Sequence, residues 1–140
     1  MAAEISLSIL IVNWNTRDRT LACINSIRRF APGPEVQVIV IDNASEDGSV
    51  EAFRGADADV EIIENRENAG FGRANNAGLQ RARGDVVLFL NSDTEITATT
   101  IPDLLGEFEA HPGVAAFGCR ILGYDGRPQH SVRGFLFLPP

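Results

Sequence analysis

Three stretches of the chain run from apolar residues straight into acids and amides. Leu7–Val12 leads into Asn13-Trp14-Asn15, Val36–Ile41 into Asp42-Asn43, and Val86–Leu90 into Asn91-Ser92-Asp93-Thr94-Glu95. One such ending is ordinary turn chemistry, because Asn, Ser and Asp favour turns. Three of them point to one rim of oxygen ligands. Hard cations such as Mg2+ bind through few carboxylates and let phosphate oxygens complete the shell. Asp93, helped by Asn91 or Glu95, suits that arrangement. Asp42 suits another task, accepting a hydrogen bond from the N3–H of a pyrimidine base. It also fits a turn or cap role within Asp42–Gly48.

The elements that must bring these groups together are visible as an alternation. Leu7–Val12, Val36–Ile41, Val60–Ile63 and Val86–Leu90 have strand character. The first, second and fourth are near-continuous in Ile, Val and Leu, as in strands buried on both faces of a parallel sheet. Thr16–Phe30 reads as an amphipathic helix with Leu21, Ile24, Ile27 and Phe30 on its apolar stripe, ended by Pro32-Gly33-Pro34. Ser45 or Asp47 can cap a short helix. Further helices are expected over Phe71–Arg83, stopped by Gly84, and before the stop at His111-Pro112-Gly113. A fifth apolar run, Val114–Leu122, meets the turn signal Tyr124-Asp125-Gly126. Such alternation means βαβ units and right-handed crossovers. Ligands of such sheets sit beyond the carboxyl ends of the strands, where strand order reverses.

The totals narrow the function. A length of 140 residues indicates one domain. The net charge of −7 argues against a nucleic-acid partner. No apolar run is long enough to span a membrane, and the start lacks the basic region of a secretion signal, so a cytoplasmic location is expected. Cys23 and Cys119 have no metal-ligand spacing and are expected to be small buried hydrophobes. Gly70–Asn75 matches part of G-x-G-x-x-G, but Asn75 stands at the third glycine and the stretch does not follow the first strand, so a dinucleotide is rejected. Its glycines serve a tight turn or the close approach of a ligand. Trp14 is expected to pack, His111 to stop a helix, and His130 to lie on the surface. Arg66, Arg73 and Arg81 are candidates to approach phosphates, while Arg81 and Arg83 better fit a solvated helix end. The apolar close of the sequence, Phe135-Leu136-Phe137-Leu138, implies a cut inside a larger domain and a surface for homo-oligomers.

Together, Ser8–Asn15, Val38–Glu51, Asn65–Glu95 and Asp125–Phe135 resemble the N-terminal part of a family 2 glycosyltransferase, nearest its bacterial rhamnosyltransferase-like branch. The resemblance implies an α/β GT-A fold: a Rossmann-like nucleotide-diphospho-sugar transferase sandwich, mainly parallel, with helices on both faces. Residues 1–140 would be the nucleotide-sugar-binding part, with the acceptor half missing. It implies inverting transfer from a UDP- or dTDP-sugar, dTDP-rhamnose included, to an acceptor hydroxyl in cell-surface polysaccharide synthesis, with Mg2+ or Mn2+. The acceptor would be a saccharide or lipid-linked saccharide at the inner membrane surface. Carried over, Val12, Asn13 and Asn15 line the nucleotide pocket and Asp42 holds the base. Gly70, Phe71 and Asn75 close over the nucleotide. Asn91-Ser92-Asp93 stands where the family has its D-x-D metal motif. Asn91 departs from that motif, which leaves Asp93 as the principal ligand, Asn91 and Glu95 as secondary ones, and Ser92 in the donor pocket. The family's general base would lie beyond residue 140, so this chain alone is expected to be inactive. Two alternatives stand beside this reading. One is a non-catalytic nucleotide-sugar-binding module. The other is a nucleotidyltransferase, which would want a Gly-rich loop after the first strand; Asn13–Thr20 contains no glycine.

Overall fold

Continuous apolar sequence takes Leu7, Ile9, Leu10 and Ile11 entirely out of solvent, which requires cover on both sides of their strand. The computed structural model describes residues 6–33, 35–56 and 59–129. The elements are β1 (Leu7–Asn13), α1 (Arg17–Phe30), β2 (Val36–Asp42), α2 (Ser49–Ala56), β3 (Val60–Glu64), α3 (Phe71–Leu79), β4 (Val86–Asn91) and α4 (Thr100–Ala110). The four strands form a parallel sheet in the order β3-β2-β1-β4. Right-handed crossovers place α1 and α2 on one face and α3, whose connection runs the opposite way, on the other. On the α3 face Leu10, Ile39, Ile41 and Ala74 form a closed apolar cluster, joined by Val12, Ile63 and Val87. Gly78 lets α3 come close, since a Cβ there would lie 2.8 Å from Ile41 Cδ1.

Two helices differ from their sequence reading. The buried stripe of α1 is Thr20, Cys23, Ile24, Ser26 and Ile27, with Leu21 and Phe30 only half-buried. The helix is turned so that two hydroxyls meet buried partners: Thr20 donates to Asn13 Oδ1, and Ser26, which donates to the Cys23 carbonyl, accepts Ile96 N. Helix α3 ends at Leu79, short of Arg83. The Arg83 and Gly84 N–H groups leave the helix to bond the buried Ser8–Gln37 pair, at 2.9 Å to Gln37 Oε1 and 2.9 Å to Ser8 Oγ respectively. Arg83 accordingly pairs with Glu61 at 2.6 Å and is not part of a solvated helix face.

The chain divides into two compact units at Pro102/Asp103. In the second, Phe108 and Phe117 pack edge to face at 4.8 Å, and His111 closes α4 onto the Glu107 carbonyl. The run from Val114 forms a single bridge, Leu122 with Pro128, around the turn at Gly126. Cys119 is exposed, which corrects the expectation of burial. No helix among the described residues is long and apolar enough to cross a membrane. His130 and Phe135–Leu138 lie outside the described residues.

Candidate functional site

Strand order reverses at β1: the chain steps outward through β2 and β3, then returns to lay β4 on the other side. The carboxyl ends of β2, β1 and β4 are therefore neighbours. Asn13 is in register with Asp42, and Val12 with Asn91. Open α/β sheets form their ligand crevice at this point.

Asn13 is the hub of the rim. It is fully buried, and its Nδ2 donates to Asp42 Oδ1 at 2.7 Å and to Ser45 Oγ at 3.0 Å. Its Oδ1 accepts the hydroxyls of Thr16 and Thr20, each at 2.8 Å. A carboxylate can only accept, so the amide has one possible orientation, and its hydrogen-bonding capacity is filled by protein. Asn13 thus supports the rim from below. Val12 packs on the α3-side cluster.

Asp42 is buried and also takes the Ser45 N–H on Oδ2 at 2.9 Å. The turn role and the ligand role coexist here, because each carboxylate oxygen keeps a second lone-pair direction. The end of β3 is tied in as well: Asn65 N donates to the Asp42 carbonyl at 2.9 Å and Asn65 Nδ2 to Asn43 Oδ1 at 2.7 Å.

The loops after β1 and β2 interlock above this layer. Asn15 N donates to Ser45 Oγ at 2.9 Å, and Asn15 Oδ1 accepts from Glu46 N at 2.8 Å. Asn15 and Ala44 both have positive φ, 53° and 60°. For Ala44 this costs roughly 1–2 kcal/mol, and such strain persists where surroundings over-determine the backbone, commonly at functional sites. Asp47 accepts from Arg17 N at 3.0 Å and from the Ser49 N–H and hydroxyl. Burial works to raise its pKa, but these hydrogen bonds outweigh it and hold the carboxyl below the usual range. Trp14, expected to pack, is 55% exposed beside this loop.

The segment after β4 folds back on α1. The Asn91 carbonyl accepts Thr94 N at 3.1 Å, Ser92 Oγ lies 3.1 Å from the Thr16 hydroxyl, and Ile96 N donates to Ser26 Oγ at 3.0 Å. Asp93 and Glu95 are exposed, as is Asn91. Neither acid makes a hydrogen bond or ion pair with a described residue, unlike Asp42 and Asp47. Both lie near the buried Cys23 thiol, which burial, then the Glu95 charge, then the Asp93 charge push up to about 12.

The connection from β3 brings the start of α3 to the same rim. Gly70 has φ 81°, which favours glycine, and Phe71 is 58% exposed. Cβ atoms added at Gly70 and Gly72 would meet nothing within 4 Å, so the backbone is open to approach. The first turn has no side-chain cap and no acid, which suits an anion. Asn75 is buried and donates to the Phe71 carbonyl at 3.1 Å, holding that turn from inside.

Sequence reasoning singled out the strand-end acids and amides, Asn43 among them, but passed over Thr16, Thr20 and Asn65, which fix them, and took Ser45 only as a helix cap. The one available signal was Thr16 and Thr20, four residues apart on one helix face beside a strand-end Asn.

The exposed oxygens of Asp93, Glu95 and Asn91 suit a hard divalent cation. No group of three or more His, Cys, Asp or Glu among the described residues could hold a metal alone. A cation here would draw the rest of its shell from ligand oxygens, as Mg2+ does with phosphates.

The family model described as glycosyl transferase family 2 matches residues 8–135. The uncharacterized glycosyltransferase YfnE of Bacillus subtilis is 35% identical over 88 residues, 61% of this chain and 22% of that protein. A solved structure of S. aureus TarS 1-349 superposes with a TM-score of 0.67 at 27% identity, covering 76% of this chain and 33% of that one; the same fragment has also been solved with UDP. The mannosyltransferase PcManGT from Pyrobaculum calidifontis, in complex with GDP-Man and Mn2+, shares the fold at a TM-score of 0.68 and 21% identity, over 73% of this chain and 32% of its own. The chain thus spans between 22% and 43% of the length of these relatives. With a parallel α/β sheet of GT-A type and a family match along nearly its whole length, the chain belongs to the family 2 glycosyltransferases.

Proposed function

We propose that the rim formed by β2, β1 and β4 binds the nucleoside diphosphate of a sugar donor, and that the parent protein transfers the sugar to an acceptor hydroxyl in polysaccharide synthesis with inversion. One observation carries this reading. A buried acid with spare acceptor capacity, Asp42 at the end of β2, and two exposed acids with no partner among the described residues, Asp93 and Glu95 after β4, flank the end of β1 at the switch point. Asp42 accepts the N3–H of uracil or thymine. Exposed Trp14 offers that base a face. The open backbone at Gly70–Gly72 and the start of α3 receive the diphosphate. Asp93 is the principal metal ligand, with Asn91 and Glu95 beside it. A bound Mg2+ or Mn2+ supplies positive charge for the leaving diphosphate. Inversion needs a base near the acceptor hydroxyl, and that base belongs to residues beyond this chain. UDP bound to TarS and Mn2+ bound to PcManGT support the donor class and the ion. A dTDP-sugar, rhamnose included, fits the same base contact.

Competition calorimetry tests the base assignment. UDP and dTDP should bind at least about tenfold more tightly than ADP, the margin expected for one buried charge-assisted hydrogen bond. Asp42→Asn should erase the difference. Equal binding of ADP would contradict the role given to Asp42.

A further inference from the structure

We propose that Thr16 is a positioning residue for the metal-binding loop, acting through Ser92; this rests on the reading of the rim given above. A threonine just before a helix normally caps it, its hydroxyl accepting an N–H of the first turn. Thr16 makes no such bond. The Arg17 N–H is taken by Asp47 from the neighbouring loop. The Thr16 hydroxyl turns inward instead, to Asn13 Oδ1 at 2.8 Å and Ser92 Oγ at 3.1 Å.

The Thr16 hydroxyl donates toward both acceptors, so its single proton is shared between Asn13 Oδ1 and Ser92 Oγ, and Asn13 in turn donates through Nδ2 to Asp42. Thr16 is thus the link between two branches, Ser92 on one side and the Asn13–Asp42 pair on the other.

The array joins the middle of Asn91-Ser92-Asp93 to the buried floor of the rim. Asp93 is adjacent to Ser92 and has no anchor of its own among the described residues. Its side chain can be aimed only through the backbone that Ser92, the Asn91–Thr94 turn and the Ser26–Ile96 bond hold. Of these, the Ser92 contact alone leads to Asp42. The ion at Asp93 and the base at Asp42 are thereby held at a fixed separation, which a nucleoside diphosphate spanning both requires.

Calorimetry of the full chain with UDP plus Mn2+, and with UMP plus chelator, tests this. Thr16→Val keeps the shape and deletes the hydroxyl; Thr16→Ser keeps the hydroxyl. Thr16→Val and Ser92→Ala should each weaken UDP binding in Mn2+ about 5–10-fold, the worth of one hydrogen bond. Thr16→Val should leave UMP affinity in chelator unchanged, and Thr16→Ser should restore UDP binding. The double variant should be no weaker than either single one, because both changes break the same link. Equal loss of UMP binding, additive losses, or no loss would overturn the proposal. Should Thr16→Val fail to fold by circular dichroism, Ser92→Ala and Thr16→Ser carry the UDP readout in Mn2+. A wild-type chain without Mn2+-dependent UDP affinity would remove the reading of the rim itself, and this inference with it.

Discussion

Replacing Asn13 with alanine should be the most damaging single polar substitution at the rim. The change deletes one hydrogen bond to a carboxylate, worth about 1.5–3 kcal/mol, and three neutral ones at about 0.5–1.5 kcal/mol each. Part is recovered, because Thr16 and Thr20 lie 3.3 Å apart and can bond each other, and Ser45 still receives Asn15 N. Asp42 recovers least, since it is buried and keeps only the Ser45 N–H. The net loss should be about 3–5 kcal/mol, a large share of the roughly 5–15 kcal/mol typical of a domain. Urea unfolding measures it as a lowered midpoint with an unchanged slope. Asn13→Asp adds a sign test. It sets a second carboxylate against Asp42, so one acid of the pair has its folded pKa raised. The stability of that variant should be highest below the ordinary carboxylate range and fall as pH rises through the raised value. A loss under about 1 kcal/mol for Asn13→Ala would refute the hub role, because it would mean that Asp42 is satisfied without the amide.

Three further outcomes follow from the same structure. At pH 8 a thiol reagent should modify one cysteine of the native chain, exposed Cys119, while Cys23 reacts only after unfolding, because burial and the Glu95 and Asp93 charges push its thiol up to about 12; mass spectrometry of the two peptides reads this directly. Asp47 has a depressed pKa, so its contribution to stability is present above the unfolded carboxylate value and is lost as pH falls through the lower folded one; an acid titration of stability should be shallower in Asp47→Asn than in the wild type. Gly78→Val should destabilise by about 1–3 kcal/mol in urea unfolding, since its side chain would meet Ile41 and Leu10 where α3 lies on the sheet.

The sheet was legible because its signal is local. Apolar runs, near-continuous in β1, β2 and β4 and shorter in β3, named all four strands, and each strand extends one residue past its run, ending on Asn13, Asp42, Glu64 and Asn91. These polar ends were themselves the clue to the rim. What the sequence could not reveal is partnership across 30 or more residues. Nothing around Thr16 announces Ser92, 76 positions away, and nothing around Ser8 and Gln37 announces that they would draw Arg83 and Gly84 out of a helix. Helix propensity favoured continuation to Arg83, and buried acceptors overrode it. Trp14 was expected to pack because indoles usually do; its exposure depends on the loop that Asn15 and Ser45 hold, which is again a non-local contact.

The role proposed for Asp93 makes nucleotide binding at the rim metal-dependent. Calorimetry of UDP into the wild-type chain and into Asp93→Ala and Glu95→Ala, with Mn2+ and with chelator, decides it. The prediction is that chelator weakens wild-type binding by at least about tenfold, that Asp93→Ala abolishes the Mn2+ effect, and that Glu95→Ala reduces it only slightly. Binding unchanged by chelator, or equal losses in the two variants, would contradict the assignment of Asp93 as the principal ligand.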